Sequence, residues 1–568
     1  MVANQGLTSE SYSTLETILE GKTFLSSSGF PCIAESSFSL FLKNVPHLFK
    51  NGLSILQWLD QQPIEGASQE RAKKVLTTIV NTAAVTAPTD LWLLKHLLSG
   101  YHQLELTSPL LEEGLNLQEV AQSRGLDLEL MNHDFSFFKS RGVVVEASKG
   151  VFKVPEDAFI RDLVGLLPPY DSEAPVDLVE TLSQFFKDPS GPTSALATRF
   201  LTIPETSSNE TIDWRPSLQE VEIGSRLVPA VLALRILQIH SKLSTSRKVS
   251  DAIGQSIPVF EQFLHQAGLC DENGVVNALG GRVFERGAGP MGIVHAYHTY
   301  LTVHLTKLKQ QEVKTWVQRG ANVAASQDAN AKTFRMANDA LDRYCHSSGF
   351  QFDVFIEHAV GQGEATRQRF ERTADRKIHF FGADLEDAAI DQAIKQQQAG
   401  RLPENMKFVR NADIGEPSIV VDALAKAEVK SEGAVMIVGN GFHEIREQTD
   451  DKMIQTFTGY AEAGIIILFT EESGLTDDDL INTGFNTYHA GFRYVHEISG
   501  QGLRPAYDHD TEGGRLSWKT CAEKGGYKVL EEYTSKTRTI YPHKKDGRNP
   551  AISITYFCVP QSLHKDDA

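Results

Sequence analysis

Hydrophobic positions follow two different rhythms along the chain. Up to about residue 330 they recur at helical spacing, and beyond it short apolar, β-rich runs alternate with helical stretches. Leu91–Leu98 (LWLLKHLL) is apolar on nearly every side and predicts a buried helix. The stretch LNLQEVAQSRGLDLELMNHDFSFFKSRGVVVEASKGVFKV predicts helices and then two short strands, Val143–Glu146 and Val151–Val154, turned through Ser148, Lys149 and Gly150. Helices followed by a small hairpin are the pattern of a winged helix. A similar order recurs as Ser225–Ile239, Ser246–Ile253, Ile257–Ala267 and a hairpin over Gly268–Asn277, which reads as a diverged second copy. Leu167–Pro192 and Pro204–Arg215 are rich in Pro, Ser and acidic residues and read as linkers.

In the last third, strands are expected at Asp353–Glu357, Ile378–Asp384, Met406–Asn411, Ala434–Val438 and Gly464–Phe469, with helical stretches between them. That alternation predicts a parallel sheet covered on both faces. Tyr527–Tyr533 and Ala551–Cys558 flank a long loop, Thr534–Pro550, and predict a closing antiparallel pair. The expected fold class is an α/β, Rossmann-like C-terminal domain with a seven-stranded sheet, preceded by mostly α, winged-helix-like domains. The division expected is a helical domain at 1–165, a linker at 166–215, a second winged-helix-like or lid domain at 216–330 and the α/β domain at 331–568.

Composition narrows the functional classes. A chain of 568 residues with 41% hydrophobic residues can build several cores. The formal net charge of -18 argues against sequence-blind binding of nucleic acid or anionic membranes. The five cysteines are scattered with no Cys-x-x-Cys pair, which fits a reducing cytosol. The start MVANQGLTSESYSTLE lacks a basic, apolar leader, and no apolar run reaches the roughly 18 residues of a membrane span. The expectation is a soluble, cytoplasmic protein.

Candidate chemistry begins with VFIEHAVGQGEATRQRF. A buried strand ends at Glu357, and a turn through Gly361, Gln362 and Gly363 opens a helix. Glycines there let backbone approach a ligand, and the helix start favours a carboxylate or phosphate. Asp384 ends the second strand about twenty residues later, where an acid accepts hydrogen bonds from ribose hydroxyls. Asp413 follows the third strand in FVRNADIGEP, placed to hold an adenine amino group. Leu385, Ile414 and Asn440 stand beside these positions and join the candidate cofactor-binding set.

Glu357–Gly363, Asp384 and Asp413 resemble the motif series of class I S-adenosylmethionine-dependent methyltransferases, and AEKGGYKVLEEY with AISITYFCV resembles that fold's final hairpin. The resemblance spans about residues 330–568. It implies S-adenosyl-L-methionine as cofactor, with Gly361 and Gly363 along the methionine part, Asp384 at the ribose and Asp413 at the adenine. His358 and Val360 depart from it, standing where many members carry glycine or a small residue. A nicotinamide dehydrogenase is the rival for these residues, but its third glycine would fall at 366, where Thr366 stands.

Histidines supply the second cluster. VGNGFHEI places His443 and Glu444 after the fourth strand, and YHAGFRYVHEISGQGLRP carries His489, His496 and Gln501. His443 suits a general base. The same residue with His496 and Gln501 also forms a candidate divalent-metal set for Fe or Mn, which would chelate a keto acid or malonyl-type oxygen pair and stabilise its enolate. Glu444 and Glu497 are the candidate acceptors orienting the rings. This pattern, with GAGPMGIVHAYHTYL and NVAASQ, resembles metal-dependent C-methyltransferases that act on α-keto acids or on malonyl-carrier protein. Asn322, Ser326 and Gln327 in RGANVAASQDAN form a candidate lid facing the cofactor.

The leading expectation is methyl transfer to carbon on a small-molecule or carrier-protein-bound acid in natural-product biosynthesis, with a homodimer through the N-terminal units. The nearest rival is an O-methyltransferase using His443 as base without metal. A rival of another class is a winged-helix regulator that senses S-adenosylmethionine, although Leu117–Leu128 and Arg247–Ser256 carry few cations for DNA.

Overall fold

The computed structural model describes residues 7–564 apart from 27–28, 47, 170–177, 205–210, 212, 316, 318, 374–375, 447, 507, 509–513 and 540–550, and leaves side chains undescribed at 48–50, 319–330, 537–539 and 551–552. The chain divides into two compact units. The first holds Met1–Ala325 with Thr476–Ser499, and the second holds Ser326–Leu475, Gly500–Thr539 and the C-terminal strand. The expected boundary at 331 therefore misses an excursion. Thr476–Ser499 sits within the expected α/β domain in sequence and packs in the helical unit.

The first unit is built around the helix Ala67–Gln103, whose second half is buried on almost every side, as Leu91–Leu98 predicts. A hairpin of β1 (Thr23–Leu25) and β2 (Pro31–Ile33) precedes it. A three-stranded sheet of β3 (Leu115–Asn116), β4 (Val145–Ser148) and β5 (Val151–Lys153) follows, in the order β3-β5-β4. Helices Leu117–Arg124 and Leu128–Ser140 fill the span between β3 and β4. The later stretch repeats the pairing in reduced form. Lys248 bridges Val275 and Cys270 bridges Val276, so the last segment again lies between the other two. The expected linker at 166–215 carries helices Leu178–Lys187 and Ser194–Leu201, because its apolar residues Leu182, Phe185, Phe186 and Leu201 are spaced to bury one face.

Thr476–Ser499 is fastened into this unit by buried polar groups. Arg141 donates to the carbonyls of Leu480 and Gly484 and faces Asp90 at 3.3 Å. Asp90 also accepts from the backbone N–H of Gly491. Asp134 accepts from the hydroxyls of Tyr101 and Tyr494 and pairs with His304. Gly491 has no room for a side chain, since a Cβ there would meet Asp90 Oδ1 at 2.5 Å.

The second unit is an eight-stranded sheet. Its path runs β11 (Tyr527–Val529), β13 (Ala551–Pro560), β10 (Ile466–Glu472), β9 (Val435–Gly439), β6 (Val354–His358), β7 (His379–Ala383) and β8 (Lys407–Val409). β6 to β10 are mutually parallel, and β13 runs antiparallel to its neighbours. The expected count of seven is one short. β12 (Ser535–Thr539), inside the stretch read as loop, adds to β13 through an irregular register that its alternation of Lys, Thr and Arg does not advertise. Phe355, Ile437 and Leu468 face one apolar layer; Ile356, Met436, Val438 and Phe469 face the other. No helix among the described residues is long and apolar enough to cross a membrane.

Candidate active site

Strand tips on the carboxyl edge of the second unit's sheet gather the unusual backbone. Ala359 after β6, Asn411 after β8 and Asn440 after β9 hold φ of 57°, 52° and 55°. Non-glycine residues adopt this left-handed region at a cost of about 1 kcal/mol or more, and such residues collect at functional sites. Gly361 and Gly363 add φ of 50° and 79° in the turn after β6. A Cβ on Gly363 would also meet Leu402 at 2.7 Å.

Glu357 closes the helix start that follows this turn. Its carboxylate accepts from the N–H groups of Ala365 at 3.0 Å and Thr366 at 2.7 Å, in the first turn of the helix Glu364–Arg372. The chain's own acid thus takes the place that the sequence left open for a ligand's carboxylate or phosphate. Burial pushes Glu357 up to about 7, against the hydrogen bonds from Thr366 and Ala365 that favour its charged form. Asp384, just past β7, accepts from Gly361 N–H at 3.3 Å and Glu386 N–H at 2.9 Å, so it links the first two strand tips. Leu385 beside it is 45% exposed, an apolar surface left uncovered at the sheet edge. Asp413 caps the turn after β8 by accepting from Gly415 N–H at 2.8 Å, and Ile414 is buried next to it. That turn reaches the tip of β9, because a Cβ on Gly441 would lie 3.3 Å from Ile414.

His443 occupies a single helical turn, Phe442–Glu444, after β9. Its Nδ1 pairs with Glu471 Oε2 at 2.7 Å, and Glu471 Oε1 accepts from Phe442 N–H at 2.6 Å. Both residues are buried. Burial works against a charged ring, but the pull of Glu471, with Glu444 and Glu472 behind it, raises His443 above its ordinary value. With Nδ1 donating to Glu471, the basic nitrogen is Nε2. The acid that orients the His443 ring through Nδ1 is Glu471. Glu444 adds its field at His443, and Glu497 lies in the first unit. The signal for Glu471 was a pair of acids, Glu471 and Glu472, ending an otherwise apolar strand.

The expected metal set is drawn from both units. His443 and Gln501 belong to the second unit, where Gly502 N–H donates to the His443 carbonyl, whereas His496 belongs to the first. The His496 ring is engaged there at both nitrogens, with Nδ1 on the Phe492 carbonyl at 2.7 Å and Nε2 on the Tyr297 hydroxyl at 3.1 Å. Among the described residues no group of three His, Cys, Asp or Glu is arranged to hold a metal ion. The candidate lid residues Asn322, Ser326 and Gln327 have side chains outside the described residues.

No family model matches the chain, and no curated protein does. Solved structures align at low identity. The CurJ carbon methyltransferase is 10% identical, with 90% of this chain and 99% of that one covered and a TM-score of 0.36. A putative O-methyltransferase from Nostoc punctiforme PCC 73102 is 11% identical over 58% of this chain and 94% of its own, with a TM-score of 0.37. The mitomycin 7-O-methyltransferase MmcR is 12% identical over 60% and 96%, with a TM-score of 0.34. These likenesses carry no weight beyond their numbers, and the fold rests on the strand order and register above.

Proposed function

We propose that the second unit binds S-adenosyl-L-methionine across the tips of β6, β7 and β8, and that the protein is a methyltransferase acting on a small or carrier-bound acid. The observation that carries this reading is Glu357 on the start of the helix Glu364–Arg372. A dinucleotide needs that helix start for its pyrophosphate. A carboxyl group already seated there occupies those N–H groups and leaves a site for a nucleoside without a phosphate. Asp384 at the second tip and Asp413 at the third supply ribose and adenine acceptors, with Leu385 and Ile414 as apolar surface for the base.

His443 and Glu471 supply the chemistry. Nε2 removes a proton from an acceptor carbon activated by adjacent carbonyls. S-adenosyl-L-methionine held at the strand tips would supply its sulfonium methyl group to that carbon, with S-adenosylhomocysteine as the leaving group. Glu471 stabilises the imidazolium until the proton passes to solvent. A hydroxyl acceptor would use the same dyad, and the methylated product identifies which atom receives the group. The His496 ring is held at both nitrogens within the first unit, and the reaction proposed for His443 and Glu471 needs no metal. The strand order β3-β5-β4 supports the winged-helix reading of residues 107–153, and the reduced pairing at 248–276 supports the second copy. With the acidic charge, these parts serve packing rather than DNA.

Calorimetry with S-adenosylhomocysteine and with NAD tests the cofactor. Micromolar uptake of the former alone is expected; uptake of NAD, or of neither, overturns the assignment.

A further inference from the structure

Two buried polar atoms at neighbouring strand tips lack a hydrogen-bond partner among the described residues: His358 Nε2 at the end of β6 and Asn440 Oδ1 just after β9. Roughly nine in ten buried polar groups are satisfied, so two left open at the ends of adjacent strands call for a group that fills both. The two atoms have opposite character. His358 Nδ1 accepts from the N–H of Ala359 at 2.9 Å, which leaves the ring proton on Nε2 as a donor. Burial holds the His358 ring down at about 3, so it stays neutral. Asn440 Oδ1 is an acceptor. His358 is in register with Val438 on β9, and Asn440 follows two residues beyond Val438, just past the end of β9.

Strand order then says which part of a ligand these atoms meet. β6 stands between β9 on one side and β7 and β8 on the other. A nucleoside with its ribose at Asp384 and its base at Asp413 points its remaining end across β6 toward β9. In S-adenosylmethionine that end is an amino acid, with one acceptor group and one donor group. We propose that His358 Nε2–H donates to the carboxylate of the cofactor and that Asn440 Oδ1 accepts from its ammonium. The inference rests on the nucleoside reading given above. It also turns the departure at position 358 from the resembled family into a specific contact.

The test is calorimetry on the intact protein with two ligands. S-adenosylhomocysteine carries the amino-acid end, and 5′-methylthioadenosine has the same nucleoside and thioether without it. The wild type is expected to prefer S-adenosylhomocysteine strongly, a comparison that needs no variant. His358→Leu and Asn440→Ala are each expected to weaken S-adenosylhomocysteine at least tenfold and to leave 5′-methylthioadenosine within twofold. The decarboxylated analogue, which keeps the amine, should lose affinity in Asn440→Ala but not in His358→Leu. Equal binding of both ligands by the wild type, or losses that fall on both ligands alike or on neither, overturns the inference. Failure of the wild type to bind either nucleoside defeats the cofactor assignment instead.

Discussion

His443 Nδ1 lies 2.7 Å from Glu471 Oε2, and the same carboxylate takes the N–H of Phe442. One acid thus fixes the ring and the turn that carries it. The neutral ring is the active form of a base, so the rate should rise with pH through a value above 6.5, the ordinary value from which His443 is raised. Glu471→Gln removes the main stabiliser of the charged ring. The acid limb of the pH–rate profile should move to lower pH, and the plateau should fall by roughly 10²–10⁴. An unmoved limb with an unchanged plateau would remove His443 from the reaction.

Glu357 gives a stability prediction of opposite origin. Its carboxyl is raised from 4.5 to about 7 by burial, so the folded state holds a proton that the unfolded chain releases. Stability should therefore fall as pH rises from about 4.5 to about 7, by an amount on the order of 3 kcal/mol. Denaturant unfolding at pH 5 and pH 8 should show this drop in the wild type and a much smaller one in Glu357→Gln. A slope shared by both proteins would place the linkage elsewhere.

Gly363 meets two constraints at once, a φ of 79° and the side chain of Leu402 within 2.7 Å of any added Cβ. Gly363→Ala should cost about 1–3 kcal/mol by unfolding. It should weaken S-adenosylhomocysteine as well, because the turn that shifts is the one Asp384 holds through Gly361.

Arg141 and Asp90 form a fully buried pair, and Arg141 also serves the carbonyls of Leu480 and Gly484. Arg141→Met should destabilise by about 3–5 kcal/mol, because Asp90 is left buried without its counter-charge. Adding Asp90→Asn to Arg141→Met should recover part of that loss in a melting experiment. No recovery would show that the charge pair is not the source.

Metal content separates the two chemistries weighed for the histidines. Protein purified without chelator should hold well under one equivalent of Fe or Mn, and EDTA should leave methyl transfer unchanged. One equivalent, lost together with activity in His443→Ala, would restore the metal reading.

Much of the second unit was legible in the sequence because its strands are buried on both faces. Val354–His358, His379–Ala383 and Val435–Gly439 fall within a residue or two of their expected bounds. Asp384 and Asp413 could be placed because strand ends announce themselves by an apolar run giving way to an acid and a turn. Glu471 was missed for the reason that makes it effective. It is an acid in the sequence of a core strand, and only the parallel register of β9 and β10 brings it under His443. That His496 falls in the first unit was not legible, because nearness in sequence beyond β10 says nothing about which core a helix joins. Tyr494 and Gly491 go to Asp134 and Asp90, which lie 360 and 401 residues earlier. The helices at 178–201 were hidden by flanking Pro and Ser residues that set the tone of the segment.

The excursion of Thr476–Ser499 decides how this polypeptide can be divided. A fragment cut at Ser326 would keep every strand of the large sheet yet carry a segment whose Phe485 and Tyr494 pack against Trp214 and Phe137, left on the other piece. Such a half-protein would display a greasy, hydrogen-bond-hungry flap and should clump rather than dissolve. Shearing the gene at that apparent seam separates the flap from its hosts, whereas excising 476–499 and bridging the gap offers the better route to a free-standing nucleoside-binding half.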